Sequence, residues 1–228
     1  FSNRLERGAL ELDIPEVSIK LDENGRVKNV EKVERDISHK LIEEFMLLAN
    51  EVVAAHIYKN NIPSIYRTHE VPDFQDLTEF GRFVNTLGYN FKIQKNIVPK
   101  SIQNLLKQCH GTAEERVINK LALRALKLAV YSMESKGHFA LAKKFYTHFT
   151  SPIRRYPDLI VHRILKALLE KKQTLEGRSI SLLSWIAKHC SETERKAENV
   201  EDEVVKMKKI QIMKNCLGKV YDGVISGV

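Results

Sequence analysis

Tyr146-Thr-His-Phe-Thr-Ser-Pro-Ile-Arg-Arg-Tyr-Pro-Asp-Leu-Ile-Val-His-Arg163 is the stretch from which the rest of the chain can be read. It gathers hydroxyls, adjacent guanidinium groups and two histidines around Pro152 and Pro157. Arginine offers a rigid fork of donors that matches phosphate oxygens, and Ser and Thr add neutral donors. Ser151-Pro152 favours an extended or turn conformation. Pro157 suits the first turn of a helix, where its missing N–H is not needed. The spacing predicts a polar loop feeding a helix from about Tyr156, and a helix start favours anions. A basic helix start with solvated arginines fits the same residues, and their chemistry alone leaves both readings open.

Upstream of this stretch the pattern changes several times. Residues 1–15 read as a loop entering a short strand. Val17, Ile19 and Leu21 alternate, and Asp22-Glu-Asn-Gly25 turns them back into a second strand at 26–30. From Ser38, a candidate cap, to Tyr58 the period becomes helical, with Leu41, Phe45, Leu48, Val52 and Val53 as the apolar stripe. Glu43, Glu44 and Asn50 share this helix, where a solvated face is the plain expectation. Residues 64–72 read as a strand whose Tyr66, Arg67 and His69 could contact a ligand, although packed strand positions with satisfied polar tips are the commoner case. Helices are expected over 73–87, from Ser101, and from Thr112 through an apolar run reaching Val130. Downstream, the pattern predicts a helix to about 171, another opening at Ser181 with Trp185 packed, and a charge-dense one over 191–216. Residues 219–228 alternate like a strand.

The chain has 228 residues, is 43% hydrophobic and carries a net charge of +8, which suits a globular fold with a polyanionic partner. Cys109, Cys190 and Cys216 are far apart and not spaced as metal ligands, so reduced structural thiols in a cytoplasmic setting are expected. No apolar run is long enough to span a membrane. The absence of an initiator Met and the strand-like end at Val228 suggest a piece of something longer.

Thr150-Ser-Pro-Ile-Arg-Arg-Tyr-Pro-Asp158 with His162-Arg163 resembles a signature of the RNB-type exoribonucleases, the RNase II and RNase R family. Other segments agree, in the family's order. They are Asn3-Arg4 with Arg7-Gly8-Ala9-Leu10, Leu41-Ile-Glu-Glu-Phe-Met-Leu-Leu-Ala-Asn50, Ile65-Tyr-Arg-Thr-His69 with Pro72, Glu192-Thr-Glu-Arg195, and Gly218-Lys-Val-Tyr-Asp-Gly-Val-Ile-Ser-Gly227. The wording is closest to the RNase R branch. The resemblance implies an α+β, helix-rich fold with a few antiparallel strands. Residues 1–216 would be the C-terminal portion of the RNB catalytic domain, and 217–228 the first strand of an OB-fold RNA-binding domain.

The implied activity is hydrolysis of single-stranded RNA from the 3′ end to nucleoside 5′-monophosphates. Magnesium would be held by clustered aspartates. No such cluster stands in this sequence, so the resemblance places the Mg2+ ligands outside this chain, assigns no metal ligand within it, and implies that the chain alone is inactive. Arg154 is the implied catalytic residue, holding the terminal phosphate. Arg155 would contact an adjacent phosphate. Thr150, Ser151 and Tyr156 would contact the RNA backbone, one of Glu43 and Glu44 a ribose hydroxyl, and Glu194 the terminal nucleotide. His148, His162 and Arg163 fit structural roles. The alternatives are a non-catalytic RNA-binding module and a helical protein-interaction domain. Self-association through exposed core surface is a further expectation.

Overall fold

The computed structural model describes residues 2–11, 17–33, 36–92, 97–171, 177–214 and 216–221. In order, the elements are α1 (Ser2–Glu6), β1 (Val17–Leu21), β2 (Val27–Lys32), α2 (Ile37–Lys59), β3 (Tyr66–Thr68), α3 (Phe74–Thr86), α4 (Pro99–Cys109), α5 (Glu115–Ala125), β4 (Val130–Ser132), α6 (Tyr156–Leu169) and α7 (Gly177–Lys214). The helix-rich α+β class expected from the sequence is what the structure shows. Two antiparallel two-stranded sheets, β1–β2 and β3–β4, are its described β content. The expected hairpin forms, and Gly25 takes a positive φ of 72°, as the tight return between β1 and β2 requires.

Two apolar clusters hold the fold together. Leu77, Phe80, Ile102, Leu106 and Ile118 join α3, α4 and α5. Ile57, Ile65, Val161, Ile164 and Ile186 join the end of α2, the approach to β3, α6 and the start of α7. The β3–β4 ladder pairs Tyr66 with Ser132 and Thr68 with Val130, and it contributes Tyr131 to the second cluster. Gly8 ties the first residues to α4. Its φ is +97°, and a Cβ built there would stand 2.9 Å from the Lys100 amide nitrogen, closer than packing allows.

Several local expectations are corrected. Residues 2–6 are helical rather than a loop. Asp36, not Ser38, caps α2, its side chain accepting the His39 N–H. α4 starts at Pro99, ahead of Ser101. The segments at 181–186 and 191–216 are one continuous α7 of 38 residues. The run from Thr112 stops at Ala125, and Val130 begins β4. Trp185 is exposed and stacks on the His189 ring instead of packing inside.

The most informative correction concerns α2. Leu41, Phe45, Leu48 and Val52 are 53–60% exposed, whereas Leu47, Asn50, Ala54 and Ile57 on the other side are buried. Both faces of this helix are rich in apolar residues, so periodicity finds the helix without telling which face meets the core. The proposed strand at the C-terminal end lies largely outside the described residues.

Candidate nucleic-acid interface

The Tyr146–Arg163 stretch is an anchored loop followed by α6. Thr147, itself buried, donates its hydroxyl to the Ile65 carbonyl at 2.6 Å. The Tyr146 carbonyl accepts the Arg67 N–H at 3.0 Å, which ties the loop to β3. Buried Asn50 reaches over from α2, donating to the Tyr146 hydroxyl at 3.1 Å and accepting the Phe149 N–H at 2.9 Å. His162, nearly two turns into α6, donates Nε2–H to the Phe149 carbonyl at 2.8 Å, and its ring stacks on the Phe149 ring at 4.0 Å. Buried polar groups help hold a fold in one arrangement when they find partners, and Tyr146, Thr147, Phe149 and His162 find theirs here.

Residues 151–155 form a tight turn, in which the Ser151 carbonyl accepts the N–H groups of Arg154 and Arg155. Asp158, in the first turn of α6, is fully buried. One of its oxygens accepts both the Ser151 N–H and an Arg155 Nη2–H, each at 2.8 Å. A carboxylate is favoured at a helix N-terminus, and its charge is matched by Arg155. Arg154, by contrast, is exposed, as are Ile153 and Tyr156. The turn thus fixes its backbone inward and presents Arg154 outward. Thr150 and Ser151 are half-buried beside it.

A second layer lies behind the turn. Arg67 of β3 pairs with Glu194 of α7 at 2.5 Å and lies over the Tyr131 ring at 4.6 Å from its centre. The Tyr131 hydroxyl and His148 Nδ1 are 2.9 Å apart. Burial raises the pKa of the Tyr131 hydroxyl, with the charges of Arg67, Glu194, Arg155 and Asp158 acting on it as well. Burial chiefly, and then the arginines Arg155, Arg67 and Arg154 with a contribution from His138, push the His148 pKa down to about 2. His148 is therefore neutral at working pH, and Tyr131 keeps the proton it can donate to it. The Tyr131 hydroxyl is acted on by Arg155 and Asp158 and by Glu194, which is far from them in sequence.

Glu44 accepts from Arg4 Nε at 2.8 Å, and Arg4 is buried. Glu43 is half-buried beside it on α2. Both stand about 10 Å along the helix from Asn50, where the loop attaches. Asn50, Tyr131 and Asp158 were given no functional role from the sequence, and Arg67 was named only among three strand residues that could contact a ligand. Only the closeness of Asp158 to Arg155 was visible there. Among the described residues no group of three or more His, Cys, Asp or Glu side chains is placed to hold a metal ion.

The RNB domain model matches residues 1–171. The chain belongs to the RNB domain family. Ribonuclease R of Aquifex aeolicus is 38% identical over 225 residues, covering 99% of this chain and 32% of that protein. Ribonuclease R of Thermotoga maritima is 40% identical over 230 residues, with the same shares. The chain therefore spans about a third of the length of these curated relatives. Among solved structures, Mycoplasma genitalium RNase R in complex with ribose methylated single-stranded RNA superposes with a TM-score of 0.91 at 28% identity, over 100% of this chain and 36% of that one. Among the described residues no helix is long and apolar enough to cross a membrane.

Proposed function

We propose that this chain is part of a 3′-to-5′ hydrolytic exoribonuclease that degrades single-stranded RNA to nucleoside 5′-monophosphates in the cytoplasm. The observation that carries the reading is the 151–155 turn, buried on its Asp158 side and presenting Arg154 to solvent, within a chain of the RNB domain family. Arg154 holds the terminal phosphate and stabilises charge that develops on it. Arg155 keeps one Nη on Asp158 and offers its other Nη to the adjacent phosphate. Thr150, Ser151 and the exposed Tyr156 meet the RNA backbone. Glu43 or Glu44 reads a ribose hydroxyl, which distinguishes RNA from DNA. Glu194, steadied by Arg67, lies against the terminal nucleotide.

Magnesium is the metal proposed for the whole enzyme. The described residues do not suit it: no carboxylate cluster forms, and buried Asp158 is engaged by Ser151 and Arg155. The ligands are assigned to parts of the enzyme outside these 228 residues, and the chain alone is expected to be inactive. We likewise propose residues 1–216 as the C-terminal portion of the RNB catalytic domain and 217–228 as the opening strand of an OB-fold. The exposed stripe on α2 supports self-association when this chain is isolated.

The test uses the full-length protein and end-labelled single-stranded RNA with magnesium. Arg154→Ala is expected to slow mononucleotide release at least a hundredfold, the scale seen when one preorganised charge-stabilising donor is lost. Unchanged turnover would remove Arg154 from the mechanism, and wild-type protein releasing no mononucleotides would remove the reading itself.

A further inference from the structure

We infer that Asp158 is the positioning residue for the phosphate-holding turn, setting through Ser151 and Arg155 where Arg154 points. This rests on the reading of Arg154 given above. Asp158 is the only acid among the buried polar residues of the described chain, and it stands at the base of the turn that exposes Arg154. A buried charge is costly, and a buried ion pair adds little net stability over apolar packing. Its use here is geometric. One oxygen of Asp158 holds two groups on opposite sides of Arg154: the Ser151 N–H three residues before it and the Arg155 guanidinium immediately after it.

The turn's own closure depends on the same anchor. Arg154 and Arg155 both donate their N–H groups to the Ser151 carbonyl, so the peptide unit fixed by Asp158 at position 151 also closes the turn. Asp158 meets neither solvent nor any surface RNA could occupy, which excludes direct contact with a substrate. The second Asp158 oxygen and Arg155 Nε have no partner among the described residues, so the pair is joined by a single bond rather than a two-pronged one. Ser151 and Arg155 are thus both held at one Asp158 oxygen, on either side of the exposed Arg154.

The experiment measures kcat and KM for labelled single-stranded RNA on full-length wild type, Asp158→Asn, Arg154→Ala and the double variant, with Tm recorded for each. Asparagine keeps the shape and an acceptor for the Ser151 N–H but gives up the charge that holds Arg155. Asp158→Asn is expected to lower kcat tenfold or more with KM changed less than threefold. Asp158→Asn should cost much less in the Arg154→Ala background than in wild type, because Asp158 acts chiefly through the placement of Arg154 and only its hold on Arg155 remains to be lost. A merely structural aspartate would lower Tm and activity equally in both backgrounds, and such additive losses overturn the inference. An unchanged kcat overturns it as well. Should the amide variant not fold, Asp158→Glu keeps the charge but shifts the carboxylate by one methylene, and the same non-additive loss is required of it. Failure of the functional reading looks different: Arg154→Ala would then retain wild-type turnover, whatever Asp158 does.

Discussion

Lowering the pH should unfold this chain earlier than its exposed carboxylates would require, because three histidines behind the candidate interface are held neutral. Burial, with His69 and Arg67 close by, lowers the pKa of His138 to about 3. Burial and the neighbouring arginines lower that of His148 to about 2. The pKa of His69 is lowered too, mainly by burial. Its Nδ1 accepts the Ala140 N–H while Nε2 donates to the Lys127 carbonyl, so a second proton would break the first bond. A base whose folded pKa is depressed leaves stability intact above its unfolded pKa of about 6.5 and loses it as pH falls from there towards the folded value.

Each such histidine costs about 1.4 kcal/mol per pH unit within that window. For His138 and His148 between pH 6.5 and 4.5 the ceiling is about 5 kcal/mol. Both rings are partly exposed, and solvent trims the loss to about 2–4 kcal/mol, still a large share of a typical domain stability of about 5–15 kcal/mol. Urea denaturation followed by circular dichroism at half-unit pH steps measures the slope. His148→Asn keeps an acceptor near the Tyr131 hydroxyl and cannot take up a proton. It should reduce the acid slope by about 0.5–1 kcal/mol per pH unit, its share of the solvent-trimmed loss. Wild-type stability that stays level between pH 6.5 and 5, or a slope untouched by His148→Asn, refutes the reasoning.

Three further outcomes follow from the same contacts. Asn50→Ala strands the Tyr146 hydroxyl and the Phe149 N–H, and should cost about 2–5 kcal/mol in chemical denaturation, since each buried unsatisfied group costs about 1–3 kcal/mol. Gly8→Ala must adopt a left-handed backbone and press on the Lys100 amide, so a loss of about 2 kcal/mol or more is expected, read as a lower Tm. Phe45→Lys combined with Leu48→Lys should shift the isolated chain towards monomer in sedimentation velocity without changing its circular dichroism, because both side chains are exposed.

The sequence carried the site's outline because its polar residues are crowded between two prolines, where local rules of turn and helix start apply. The hairpin was equally legible, since Gly25 and the alternation on either side are local signals. What could not be read are the partners. Asn50 meets Tyr146 and Phe149 nearly 100 positions away, and Arg67 meets Glu194 across 127 positions. No periodicity links such residues; only the packed second cluster brings them together. α2 shows the complementary failure, because with apolar residues on both sides the pattern marks a helix but not its inner face. β4 was hidden for a similar reason, its Val130 continuing the apolar run of α5 without a break in composition.

α7 reaches about 57 Å from end to end, and it is fastened at two separated places. Near one, Ser191 receives the Tyr131 N–H and Glu194 holds Arg67. Near the other, Lys208 donates to the Gly25 carbonyl at the tip of the β1–β2 hairpin. The helix is thus a lever with its fulcrum behind the candidate interface. A tilt of about 5° at Glu194 would carry the Lys208 end roughly 2 Å sideways, given the rise of about 1.5 Å per residue. A displacement too small to notice at Arg67 would be magnified at the hairpin, so a probe placed at Gly25 would serve as a gauge of strain around Tyr131 and His148.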